Sequence, residues 1–149
     1  MSTCRGLRAS SIIIVAASAV AGSAYAAPLP DREWRQKANS VCTRFHADRT
    51  EVLPSSGLAV VNPEDAQSYV EQAVPLYEQL RDEVDALREP KSRRKQVKQF
   101  VKAVIAAVAT ITANPLAAFS AFEDPLADAN RAAKLLKLKA CRGLGDQRL

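Results

Sequence analysis

The sequence predicts an all-α fold, an up-and-down bundle of about four helices tied by one disulfide. Three observations carry this expectation. Apolar residues recur at spacings of three and four through four segments, the period of one helix face. Those segments are bounded by Asn-Pro, Asp-Pro and lone Pro signals that open or stop helices. Finally, the chain has three cysteines, one of which lies in an N-terminal leader. Removing the leader leaves Cys42 and Cys141, which permit a single intramolecular pairing.

The leader is "MSTCRGLRASSIIIVAASAVAGSAYAAP". Arg5 and Arg8 precede an uncharged stretch led by Ile12, Ile13, Ile14 and Val15, and Ala24-Tyr25-Ala26 closes it with small residues. That is the layout of a secretory signal peptide with cleavage near Ala26. The strongly apolar part is shorter than the ~20 residues of a membrane span, and Gly22 and Ser23 dilute it. Cys4 precedes the apolar stretch, so it is not placed as a lipid-anchor cysteine. Residues 1–26 are thus expected to be removed, with residues 27–149 forming a single helical domain in an exported, extracellular or periplasmic protein. The leader carries two cations and no acid, so the formal net charge of +5 falls by two on its removal. A charge that small does not point to nucleic acid.

The first helix is expected from Asp31, placed as its N-cap, to about Leu53, where Pro54 stops it. Trp34, Ala38, Val41, Cys42, Phe45 and Val52 give its apolar stripe, and "PSSGLAVV" reads as a loop. Asn62-Pro63-Glu64-Asp65 opens the second helix: Asn caps free amides, Pro is preset for the first turn, and carboxylates favour the positive end of the dipole. Its stripe is Tyr69, Ala73, Leu76, Leu80, Val84 and Leu87. Pro75 lies inside and conflicts with the carbonyl of Glu71, which predicts a kink or short break.

Pro90 ends this helix and Ser92 is expected to cap the third, whose stripe is Val97, Phe100, Val101, Val104, Ile105, Val108 and Ile111. Asn114-Pro115 stops it. Asp124-Pro125 is expected to cap the fourth helix, lined by Leu126, Ala129, Ala133, Leu136 and Ala140 and running to about Cys141, with Gly143 as its stop. Short links favour antiparallel neighbours. Residues 103–122 carry no charge, but Asn114-Pro115 divides them into two short pieces rich in alanine. A buried helix followed by an apolar crossover is expected there, with no transmembrane helix in the mature chain.

The order "KANSVCTRF", "LYEQLRDEVDALREP" and "DPLADANRAAKLLKLKACRG" resembles a group of small exported helical proteins of unknown function, common in actinobacteria. That group carries an early A-x-x-x-C cysteine and a cysteine after the last helix, matched here by Cys42 and Cys141. The chain departs from the pattern at Lys137, where a glycine is expected. The resemblance implies no activity.

Candidate chemistry centres on few residues. Cys42 and His46 have the spacing of two metal ligands on one helical face, but a closed zinc site needs four. At ~100° per residue, His46 lies about 100° from the middle of the stripe and Cys42 about 60°. A disulfide-bonded Cys42 beside a flanking His46 is therefore expected, with no metal. Cysteine catalysis needs a free thiolate, and no serine sits in a nucleophile elbow, so no catalytic residue is assigned. Haem ligation by His46 with Tyr69 or Tyr77 is the alternative for a small-ligand carrier, although both tyrosines fall on the stripe and suit core packing. No other cofactor is implied.

The run "KSRRKQVK" sets Lys91, Arg93, Arg94, Lys95 and Lys98 at a helix start, where the dipole disfavours cations. Glu78, Asp82, Glu83, Asp85 and Glu89 of the preceding helix are available as ion-pair partners. The functional alternative is a surface made by Arg93, Arg94, Lys95 and Lys98, with Arg131, Lys134, Lys137, Lys139 and Arg142, that engages anionic envelope polymer or a lipid surface. Exposed aromatics for stacking on bases are missing, which also argues against nucleic acid. A binding or interaction module at the cell envelope, without catalysis, is the function expected from the sequence.

Overall fold

The computed structural model describes residues 27–52, 62–119 and 124–145. Helix α1 spans Asp31–Glu51 and buries Trp34, Ala38, Val41, Cys42, Phe45 and Arg49. Pro30, extended at φ −56° and ψ 144°, holds the N-cap position and supplies no side-chain bond. Asp31 is therefore not the cap. Its carboxylate is engaged by Arg35 at 2.8 Å and by Arg93 at 2.9 Å, the second contact tying the start of α1 to the turn that precedes the third helix. Trp34 is fully buried, and its indole Nε1 has no hydrogen-bond partner among the described residues. Packing alone holds the ring.

Helix α2, Pro63–Ala86, starts as the sequence implies. Asn62 Oδ1 accepts the Asp65 N–H at 2.8 Å, and Pro63 occupies the first turn. Of the kink or short break expected at Pro75, the break does not occur: α2 is one continuous helix. Pro75 and Glu71 both lie on the exposed side, so the carbonyl that loses its partner faces water rather than the core, where the loss would cost far more. The buried stripe is Ala66, Tyr69, Val70, Ala73, Tyr77, Leu80 and Val84. Tyr77 takes the place expected for Leu76, which is half-buried.

The N–H of Arg93 donates to the Pro90 carbonyl at 2.8 Å, closing a turn that carries the helix start past Ser92. Helix α3 is Arg94–Ala113, with Arg93 at its N-cap and no side-chain cap. Its buried positions are Val97, Phe100, Val104, Ala107 and Ile111. Ile105, expected in the stripe, is 47% exposed. One residue on from Val104, it is carried ~100° round the helix, and small Ala107 provides the close approach instead. A short 3₁₀ helix, Pro115–Phe119, follows.

Asp124 Oδ1 accepts the Leu126 N–H at 2.9 Å, and the Asp124 carbonyl accepts from Ala127 at 3.0 Å. Asp124-Pro125 thus forms a turn, and helix α4, Ala127–Leu135, begins after it with Leu126 at the N-cap. Neighbours in sequence are neighbours in space, with α1 packed on α2, α2 on α3 and α3 on α4. Among the described residues the result is an all-α bundle of four helices with one disulfide.

Helix α4 ends six residues before Cys141, and the reason is local. Leu138 N–H donates to Ala133 C=O at 2.9 Å and Lys137 N–H to Lys134 C=O at 3.1 Å, the paired bonds of a Schellman stop, with Ala133 and Leu138 both buried. That motif needs a left-handed residue between them, and Lys137 adopts it at φ 59°. Gly143, at φ 75°, serves the turn beyond. A left-handed L-residue costs roughly 1–2 kcal/mol, partly offset by the backbone entropy glycine would lose. Lys137→Gly is accordingly expected to stabilise the domain by about 0.5–1 kcal/mol, read as a higher urea midpoint. An equal or lower midpoint would show that the strain is relieved elsewhere.

Candidate functional site

The residues after α4 double back onto α1, and four side chains of α1 fasten them. Asn39, Cys42, His46 and Arg49 recur at three- and four-residue spacings, so they share one flank of the helix. Cys42 is bonded to Cys141 across a sequence separation of 99, with the Cα atoms 5.1 Å apart and both residues fully buried. On either side of that bond, both backbone groups of Ala140 are taken. Its N–H donates to Asn39 Oδ1 at 2.8 Å, and its carbonyl lies 2.8 Å from His46 Nε2. A carbonyl only accepts, so His46 Nε2 carries the proton and donates.

The fastening continues at Leu144. Its carbonyl accepts from the Arg49 guanidinium and from Tyr77 Oη at 3.2 Å, and its N–H donates to Asn130 Oδ1 at 3.0 Å. Arg49 is only 3% exposed. Burial pushes the Tyr77 hydroxyl well above the ordinary tyrosine range and raises that of Tyr69. The Tyr77 ring lies 4.8 Å from Phe45 and the Tyr69 ring 5.0 Å from Phe119, in core packing.

These contacts define what the haem candidates do in the fold. His46 Nε2, Tyr77 Oη and the Tyr69 ring each hold protein partners, and ligation of an iron through His46 Nε2 requires its bond to Ala140 to break. Cys42 and His46 are neighbours on α1 but do not act as a pair, because the thiol is in the disulfide. Among the described residues, no three His, Cys, Asp or Glu side chains converge in a way that could hold a metal ion.

Burial holds the His46 pKa below its usual value, helped by the nearby Arg49 charge and opposed by the Ala140 bond. The folded state therefore prefers neutral His46. Above about pH 6.5 both folded and unfolded chains hold the neutral ring, and below it the unfolded chain takes up the proton first. Stability is expected to fall as pH drops from 7.5 to 5.5. His46→Gln, which keeps an N–H donor without titrating, should flatten that slope. Identical slopes for the two proteins would remove His46 as the cause.

The cationic run is divided by the structure. Arg93 is half-buried and bonds Asp31 Oδ1 at 2.9 Å and Gln96 at 3.1 Å, so it clamps α3 to α1. Arg94 pairs with Glu89 at 2.9 Å. Of the acids on α2, Glu83 is held by Arg44 and Asp82 by Arg81. Among the described residues no carboxylate pairs with Lys91, Lys95 or Lys98, all exposed. Lys102, which the sequence did not single out, is also exposed and lies one turn past Lys98. Arg131 pairs with Asp128, while Lys134, Lys137, Lys139 and Arg142 are exposed on α4 and the turn after it.

Asn39, Arg49 and Asn130 are the fastening residues that the sequence pattern missed. Arg49 alone left a signal, since it falls four residues after Phe45 on a stripe otherwise apolar. No helix among the described residues is long and apolar enough to cross a membrane. Comparison with models of known protein families, with curated proteins and with solved structures finds no match to this chain.

Proposed function

We propose that the chain is an exported, non-catalytic binding module of the cell envelope, released from a signal peptide near Ala26, that engages anionic polymer or lipid through the cationic start of α3. The observation that supports this most is the set of exposed lysines Lys95 and Lys98, which no carboxylate of the described residues neutralises. α3 contains no acidic residue at all. Cations in the first turns of a helix oppose its dipole, and the natural remedy in a fold is an acid nearby. Arg93 and Arg94 have that remedy and the lysines do not, which leaves their charge available to an external anion. The leader and the disulfide are features of chains that mature in an oxidising, extracytoplasmic compartment.

A cation near an anionic surface contributes about 1 kcal/mol. Replacing Lys95 and Lys98 together with glutamine should weaken retention on anionic vesicles or envelope polymer by about 2 kcal/mol, and salt should weaken the native protein in the same way. Lysines are the informative targets, because Arg93→Gln would also open the Asp31 clamp. Retention indifferent to both salt and the lysine substitutions would end this reading.

A further inference from the structure

The outer face of α3 changes character along its length. Lys95, Lys98 and Lys102 lie at spacings of three and four, and Ile105 and Ala109 continue the same line at the next two steps. No residue from Ala103 to Phe122 is charged. Ile105 is 47% exposed, and Leu116, just past the helix end, is 44% exposed. The other strongly exposed large apolar residue among those described, Leu135 at 55%, belongs to α4. One helix therefore presents, over its first half, a cluster of cations that no carboxylate of the described residues neutralises, and over its second an uncharged, partly aliphatic surface.

A soluble polyanion gives that second half nothing to do. An anionic bilayer uses both halves, because headgroup phosphates meet the lysines while aliphatic side chains enter the boundary beneath them. Lysine stems reach along an apolar surface with the ammonium kept at headgroup level, which lets the helix tilt its second half deeper. We propose that α3 seats on an anionic lipid bilayer, with Lys95, Lys98 and Lys102 at the headgroups and Ile105 and Leu116 entering the acyl boundary. The protein lies on the membrane and does not cross it. The inference deepens the reading above and rests on its lysines, but it selects lipid over polymer and adds the apolar half of the face.

The test uses the disulfide-bonded mature chain and two surfaces: vesicles of phosphatidylglycerol and phosphatidylcholine, and immobilised heparin as a lipid-free polyanion. Lys95→Gln/Lys98→Gln/Lys102→Gln is expected to lower vesicle affinity by roughly a hundredfold, about fivefold for each cation lost, and to weaken heparin retention as well. Ile105→Ser/Leu116→Ser is expected to lower vesicle affinity by about tenfold and leave heparin retention unchanged. Leu135→Ser, on α4, should bind both surfaces as the native protein does. All substituted positions are exposed, and native Trp34 emission confirms the fold of each variant.

Equal vesicle binding by native protein and Ile105→Ser/Leu116→Ser would overturn the seating while leaving the anionic-surface function intact. Binding to heparin but not to vesicles would do the same. An equal loss on Leu135→Ser would overturn the assignment to α3. Binding to neither surface would remove this inference together with the reading on which it rests.

Discussion

Replacing Cys42 and Cys141 together with alanine is expected to lower the unfolding free energy by about 4–5 kcal/mol, the chain-entropy value for a loop of roughly a hundred residues. For a small domain whose total stability is typically ~5–15 kcal/mol, that brings the fold close to its limit. The bond closes a loop with a sequence separation of 99, nearly all of the domain, so the unfolded chain gains much of its freedom when it is lost. The folded state changes less, since Asn39, His46, Arg49 and Asn130 still hold the same turn. Urea denaturation followed by Trp34 emission measures the effect, because that single tryptophan is fully buried. Both half-cystines are fully buried too, so reductant should act only once denaturant opens the fold, and the mass should then rise by two hydrogens. A double variant as stable as the native protein would mean that the turn is held by its hydrogen bonds alone.

How far the fold could be read from the chain depended on which interactions are local. The α2 start at Asn62-Pro63 and the helix stops at Asn114-Pro115 follow from the backbone chemistry of those residues, and they stand where the sequence puts them. The disulfide follows from a count of cysteines. Helix boundaries failed where a distant partner intervened. Asp31 looks like a cap until Arg93, sixty-two positions away, engages its carboxylate. The end of α4 is hidden in the sequence because it depends on Lys137, a residue that seldom adopts the left-handed conformation it holds here, while Gly143 offers the more ordinary stop further on.

The cationic run shows the same division. Its composition and its place at a helix start are legible in the sequence. Which cations are neutralised is not, because pairing is decided by the turn that brings Arg93 to α1 and Arg94 to Glu89. The sequence gives no sign of the role of His46 for a related reason. Its partner is a backbone carbonyl, and a carbonyl leaves no trace in a list of side chains.

Arg49→Ala is expected to cost about 3–5 kcal/mol, the largest loss among single substitutions of the residues that hold the turn by hydrogen bonds. Two contributions combine. The arginine stem is buried along the bundle wall, so truncation removes packing as well as charge. A hydrogen bond from a charged donor adds roughly 1.5–3 kcal/mol, whereas the neutral Tyr77 bond to the same Leu144 carbonyl adds about 0.5–1.5. Arg49→Met keeps the stem and drops the charge, so it separates the two contributions and should cost only the hydrogen-bond share. Tyr77→Phe should cost less still, since Arg49 continues to satisfy the carbonyl. The shared acceptor makes the pair non-additive: once Arg49 is gone, Tyr77 is the remaining side-chain donor seen on Leu144, and its removal should cost more in the Arg49→Met background than alone. Additive losses would show that the two donors act independently. An Arg49→Met protein as stable as the native one would show that burying the guanidinium costs as much as its bonds contribute.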